Sequence, residues 1–244
     1  MLSLPYYIPA IFVLTTFATA ALFYKSTNGS RTTLLLLTAW SVLLSLIALT
    51  GFYTHTGTVP PRQLLLVVPP LLCIIILFAT RDGRAYIDSL DPRMLAFLHT
   101  VRIPVELVLY WLFLHKAVPQ VMTFEGRNVD IISGLTAPAV FYFGYVRKVL
   151  SPKVILLWNF SCLALLFNIV GTAILAAPSA FQQLAFDQPN IAVLYFPFVL
   201  LPGLVVPLVL LSHLAAIRQL VVKSWSTKKI NAEVLSSPLT AGNK

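Results

Sequence analysis

The stretch "HTVRIPVELVLYW", residues 99–111, decides how the rest of the chain is read. It sits inside an apolar run over 94–115, long enough to cross a hydrocarbon layer about 30 Å thick as a helix. Yet Arg102 and Glu106 stand near the centre of that run. At about 100° per residue, His99, Arg102, Glu106 and Tyr110 share an arc of about 80°. The opposite face carries Val101, Val105, Val108 and Leu112, with Pro104 nearby. The pattern predicts a membrane helix with an apolar face toward lipid and a polar face toward the interior of a bundle. A charged side chain at that depth is disfavoured by about 2.5–3.5 kcal/mol on insertion scales. The i, i+4 spacing lets Arg102 and Glu106 pair, which offsets part of that cost. Since two apolar residues would usually do as well, the pair reads either as a structural device that fixes helix packing or as a functional site.

The rest of the chain supports the membrane reading. Of 244 residues, 58% are hydrophobic and 10% charged, with a mean hydropathy of +0.87. A soluble domain is nearer 45–50% apolar and about 25% charged. Seven apolar runs are predicted as transmembrane helices, over 4–24, 32–54, 63–80, 94–115, 129–147, 154–177 and 191–217. The expected fold is therefore an all-α, polytopic membrane helix bundle. It divides into a seven-helix domain over 1–222 and a basic, disordered cytoplasmic tail over 223–244. An Ala18-x-Ala20 pattern admits signal-peptidase cleavage of the first run, but the run lacks a basic leader and contains Pro9.

The formal net charge is +9. Its distribution points to topology rather than to nucleic acid. With the N-terminus outside, thirteen of the seventeen Lys and Arg residues fall on the cytoplasmic side. Arg62, Lys116 and Arg127 fall outside and Arg102 lies within a span. This bias predicts N-terminus out, C-terminus in. The cytoplasmic cations, Lys223, Lys228 and Lys229 among them, are expected to meet acidic lipid headgroups. A glycosylation acceptor at Asn28 falls on the inside and is set aside. The compact chain without targeting signals suggests a bacterial inner membrane, and a homodimer would supply the symmetry that seven helices lack.

Besides Pro9 in the first, prolines interrupt four more of the spans: Pro69 and Pro70, Pro104, Pro138, and then Pro197, Pro202 and Pro207. Each removes a backbone donor and leaves a carbonyl to be satisfied elsewhere. The fifth run also carries Gly134, and short Gly/Pro-interrupted segments mark sites in some transporters. In "FEGRNVDIISGLT", Glu125, Arg127, Asn128 and Asp130 cluster at the outer mouth. Asp130 also suits a helix N-cap. Ser133 and Thr136 follow on one side of that helix. In the sixth run Ser161, Asn168 and Thr172 share a narrow arc, and Tyr195 stands at the outer end of the seventh. The candidate ligand- or proton-binding set is thus His99, Arg102, Glu106, Tyr110, Glu125, Arg127, Asn128, Asp130, Ser133, Thr136 and Asn168.

Several chemistries fit poorly. A retinal protein needs a lysine in the last span, and 191–217 has none. Haem held by pairs among His55, His99, His115 and His213 is a weak alternative, because His99 and His115 would point about 160° apart on one helix. No zinc spacing or nucleotide-binding motif occurs, and no metal or other cofactor is expected. Cys73 and Cys162 both lie in apolar runs and read as small core residues. Two functions remain. The first is a receptor or carrier in which Arg102 holds an anionic group, Glu106 exchanges a proton and His99 relays it. The alternative is an intramembrane enzyme acting on a lipid or isoprenoid with a carboxylate acid/base.

Overall fold

A computed structural model describes residues 4–236, with side chains over 4–222. Among the described residues it is all-α, without strands. The helices are α1 (Tyr7–Ser26), α2 (Arg31–Leu49), α3 (Leu64–Ala79), α4 (Arg81–Ser89), α5 (Pro92–Leu98), α6 (Arg102–Leu114), α7 (Ile131–Ala139), α8 (Pro152–Ala176) and α9 (Val206–Ser236). Five are long and apolar enough to cross a membrane, taking α5–α6 as one and beginning the last at Leu201. The bent pair α3–α4 makes a sixth, and the helix over Ile131–Val146 is shorter.

The helix starts are written locally. Ser30, Thr80, Asp91 and Ser151 each accept a hydrogen bond from a backbone N–H in the first turn that follows. Pro92 and Pro152 occupy first-turn positions, where no N–H is needed. The loops divide the bundle into two ends. A basic end carries residues 27–30, 80–91 and 147–151; a loop end carries 50–63, 115–130 and 177–200.

Two runs differ from expectation in extent, the second and the seventh, and two others carry a break at or within their bounds, each for a backbone reason. The second run stops at Leu49, and Gly51 takes a positive φ of 75° before a 3-10 turn. The third run is α3, and the chain bends by 96° at its end, between α3 and α4. There Arg84 Nη1 donates to the Phe78 and Ala79 carbonyls at 3.0 and 2.8 Å, and a Cβ at Gly83 would collide with the Leu77 carbonyl. The fourth run is α5, one 3-10 turn over His99–Val101, and α6. The seventh has only a 3-10 turn over Ala192–Leu194 before its continuous helix begins at Leu201, through a π-helical turn over Leu201–Val205; Pro197 has no N–H to give in the stretch before that helix, and Pro202 stands in its first turn.

Prolines also explain one long-range tie. In a helix the N–H of residue 207 would bond the carbonyl of Gly203, but residue 207 is proline. Trp40 of α2 supplies the donor instead, its Nε1 lying 2.8 Å from the Gly203 carbonyl. At the basic end α9 is fixed to α4. Arg218 makes two hydrogen bonds to Asp88, at 2.9 and 2.8 Å, and Gln219 donates to the Ile87 and Leu90 carbonyls.

Burial corrects three sequence readings. Val101, Val105, Val108 and Leu112 do not face outward. All are buried, because α1, α7 and α9 pack against α5, α6 and the 3-10 turn that joins them. Leu107 and Leu114 are the exposed apolar residues of α6 instead. Cys73 is exposed on α3, whereas Cys162 is buried as expected. Ser161 and Asn168 point outward from α8, and the buried face of that helix carries Asn159, Cys162, Leu166 and Ile169. The side chains of the basic tail, and everything from residue 237 on, lie outside the described residues.

Candidate functional site

A buried polar cluster forms around Arg102. Arg102 is 2% exposed. Its Nη1 donates to Asp130 Oδ1 at 2.6 Å and to the Cys162 carbonyl at 3.3 Å. Its Nη2 lies 3.2 Å from His213 Nε2. His213 Nδ1 in turn lies 2.9 Å from Asn159 Oδ1, and Asn159 Nδ2 donates to the Ile155 carbonyl. An amide oxygen only accepts, so His213 carries its proton on Nδ1 and presents the Nε2 lone pair to the guanidinium. The His99 ring stacks on that of His213, with centroids 3.8 Å apart and planes 15° apart. Trp158 closes the edge of the stack. Neither ring nitrogen of His99 has a hydrogen-bond partner, and neither has Arg102 Nε.

The partner of Arg102 is thus Asp130, not Glu106. Glu106 faces Asn128, whose Nδ2 lies 2.7 Å from both carboxylate oxygens and 3.0 Å from the Met122 carbonyl. Asn128 also accepts from the Asp130 N–H through Oδ1 at 3.0 Å. Asp130 precedes α7 but makes no capping bond there. Its carboxylate is drawn to Arg102 and Ser133 Oγ instead. A full charge is a stronger partner than a first-turn N–H.

Close packing makes this reach feasible. A Cβ on Gly134 would sit 2.9 Å from Ile103 Cγ1 and 3.0 Å from the Ile103 backbone nitrogen. Only glycine lets α7 approach so near, and one turn earlier that places Asp130 over Arg102. The segment over residues 120–130 turns back on itself: a Cβ at Gly126 would collide with the Gln120 carbonyl. It delivers Asn128 and Asp130 to the interior.

Arg102, Glu106 and Asp130 line one wall of a cavity of about 260 Å³. The remaining walls are largely apolar, with Leu71 of α3, Leu166 and Val170 of α8, and Val205 and Val209 from the last helix. Asn190 lines it from the loop that precedes Leu201. That loop is held by Gln188, which donates to the Phe113 and Val118 carbonyls. Asn190 is buried, and its Oδ1 has no partner.

The remaining expected residues are not gathered here. Tyr110 is half-buried against Phe124, with ring centroids 4.9 Å apart, and does not line the cavity. Glu125 and Arg127 are exposed. Asn168 donates to the Arg127 carbonyl at 3.1 Å and holds the loop rather than the interior. Thr136 accepts from Trp158 Nε1 at 2.9 Å. Conversely, the cluster needs Asn159, Cys162, His213 and Asn190, which were outside the candidate set. For Asn159, Cys162 and His213 the signal was available as polar residues inside apolar runs, "LLWNFSC" and "VLLSHLA".

Among the described residues no group of three His, Cys, Asp or Glu side chains could hold a metal ion. The 3.8 Å stack of His99 on His213 leaves no gap for a macrocycle between them, so this pair does not suit two-sided haem ligation.

All members of the cluster lie within the segment that comparison singles out. Residues 59–221 match the family described as a domain of unknown function, DUF8737, and the chain belongs to that family. No curated protein and no solved structure matches it. Fold and site together define the class: a helical chain with several helices long and apolar enough to span a membrane, built around a buried charged cluster.

Proposed function

We propose that the protein is a seven-span integral membrane protein of receptor or carrier type. It would sit in a bacterial inner membrane with its N-terminus outside and bind a small, mostly apolar ligand, or a proton, at the Glu106 end of the cavity. The observation that carries the reading is the 260 Å³ cavity with Arg102, Glu106 and Asp130 in one wall. Its size is close to the lower bound of small-molecule sites, about 300 Å³. The expected division of labour changes. Arg102 is already engaged by Asp130, Cys162 and His213, so holding an anion is not its first role. The cluster contains two carboxyl groups and one guanidinium. Glu106, held by a neutral amide, is the member whose charge a proton or a donating head group would balance. Asn190 Oδ1 offers a second acceptor.

The test is native mass spectrometry of the protein extracted from its own membrane. The wild-type chain should carry a bound small molecule. Glu106→Gln and the cavity-filling Val209→Phe should each lose it while eluting as folded protein. Retention of the same molecule by both folded variants would sink the proposal. The second reading, an intramembrane enzyme on a lipid or isoprenoid, is favoured by the same two carboxyl groups in an apolar-walled cavity. Chemical change of the bound molecule on incubation, lost in Glu106→Gln, would select it.

A further inference from the structure

A second cavity, of about 510 Å³, adjoins the first across α3 and the last helix, which wall both. Its walls come from α2, α3 and the last helix, and it contains none of the groups around Arg102. Along α2 the lining runs from Ser30 to Trp40, ten residues and so about 15 Å of helix. The chemistry is layered along that length. At the basic end three hydroxyl groups meet: Thr33 Oγ1 lies 3.0 Å from Tyr86 Oη and 3.1 Å from Ser30 Oγ. Above them the lining is apolar, with Leu36, Leu37, Ile74 and Leu77. The far end is closed where Trp40 bonds the Gly203 carbonyl. Leu36 is 66% exposed, so the cleft is open sideways, toward the side from which a chain in the bilayer would enter.

The elements that line the cleft carry exposed cations at its hydroxyl end, though none of them lines it. Arg31 begins α2, Arg81 begins α4, and Lys25 is in the last turn of α1. Among the described residues none of the three is in an ion pair. Arg84 is committed to the Phe78 and Ala79 carbonyls and is not counted.

We propose that this cleft is a binding site for one anionic phospholipid of the leaflet at the basic end. An acyl chain occupies the apolar shaft, the ester and glycerol oxygens meet Ser30, Thr33 and Tyr86, and the phosphate lies among Lys25, Arg31 and Arg81. The order of cation, hydroxyl and hydrocarbon matches the order of groups in such a lipid. A cation near a membrane surface contributes about fivefold in affinity for anionic lipid. This site stands independently of the cavity at Glu106.

Trp40 is a built-in reporter. The chain has four tryptophans, and Trp111→Phe/Trp158→Phe/Trp225→Phe leaves Trp40 alone. That variant is reconstituted in phosphatidylcholine vesicles containing a minor fraction of acyl-brominated phosphatidylglycerol, or the same fraction of brominated phosphatidylcholine. Expected is stronger quenching by phosphatidylglycerol, by about fivefold in apparent affinity for each arginine engaged. Arg31→Gln/Arg81→Gln should remove the difference. Equal quenching by the two lipids would mean ordinary bilayer contact and overturn the proposal. No quenching by either would mean that protein, such as a second copy of the chain, covers the cleft, and would overturn it too. Native mass spectrometry of the wild-type chain titrated with the two lipids gives the same comparison without tryptophan substitutions. One retained phosphatidylglycerol supports the site, and no preference refutes it.

Discussion

Arg102 and Asp130 are both nearly inaccessible, at 2% and 5% exposure, and 2.6 Å apart. Removing one partner of such a pair strands the other in a medium that does not solvate it, a loss of about 3–5 kcal/mol. Removing both leaves no stranded charge. Arg102→Met and Asp130→Asn should therefore each lower the thermal midpoint in detergent strongly. The double variant should recover most of the loss, giving a double-mutant coupling well above the several tenths of a kcal/mol expected of unconnected sites. Strictly additive losses would show that the two do not act as a pair. Glu106→Gln, which keeps the shape of a side chain held by one neutral amide, should shift the midpoint far less. The sequence indicated that Arg102 and Glu106 point inward, because helical phase is a local property. It did not indicate their partners. Asp130, Asn159 and His213 come from 28, 57 and 111 residues away, and nothing in the i, i+4 spacing competes with a charge delivered by another helix. Asp130 before a helix start has the same local appearance whether it caps the helix or reaches across to Arg102.

At the scale of elements, one proline stands where another helix repairs what it removes. Pro207 deprives the Gly203 carbonyl of its helical donor, and Trp40 of α2 replaces it at 2.8 Å. Trp40→Phe keeps an aromatic ring but removes the N–H that pairs the Gly203 carbonyl, a loss of about 1–3 kcal/mol. Pro207→Ala returns the backbone N–H. In the Trp40→Phe/Pro207→Ala double variant the loss should be smaller than in Trp40→Phe alone, read as thermal midpoints of the three proteins. If the double variant is no more stable than the single one, the indole is not substituting for the missing N–H. The bends at α3–α4 and before Leu201 follow the sequence's Gly, Pro and capping residues. The bounds of most runs were therefore legible, while the break after Leu49 and the late start of the last helix were not. The run over 191–217 reads as one apolar span because hydropathy does not register that Pro197 and Pro202 withhold their N–H groups. The short helix over Ile131–Val146 starts inside the bundle because Gly134 allows it to lie against Ile103, a contact visible only once the two helices are together.

For the whole molecule, the open quantity is how many times the chain crosses the bilayer, and α3 is the element on which the count turns. With sixteen residues it extends about 24 Å, less than the roughly 30 Å hydrocarbon core. A span that short is accommodated by local thinning or by flanking residues that reach the interface. Arg62 before it and Arg81 after it are placed to do this, and α4, turned by 96°, has the direction of a helix lying along the surface. The alternative for such a bent pair is a re-entrant hairpin, which would put both of its ends on one side. The charge distribution favours the crossing: thirteen of the seventeen cations share one side when α3 crosses, and a hairpin would send those after it to the other. In a Cys73→Ser/Cys162→Ser background, Gly57→Cys and Asp82→Cys place one thiol at each end of α3, both at exposed positions. An impermeant maleimide added to intact cells should label Gly57→Cys, whereas Asp82→Cys should react only after the membrane is opened. Labelling of both from outside would make α3–α4 a hairpin and reverse every later segment. Labelling of Asp82→Cys alone would keep seven crossings with the opposite orientation, and would put the basic end with its lipid-binding cleft in the outer leaflet.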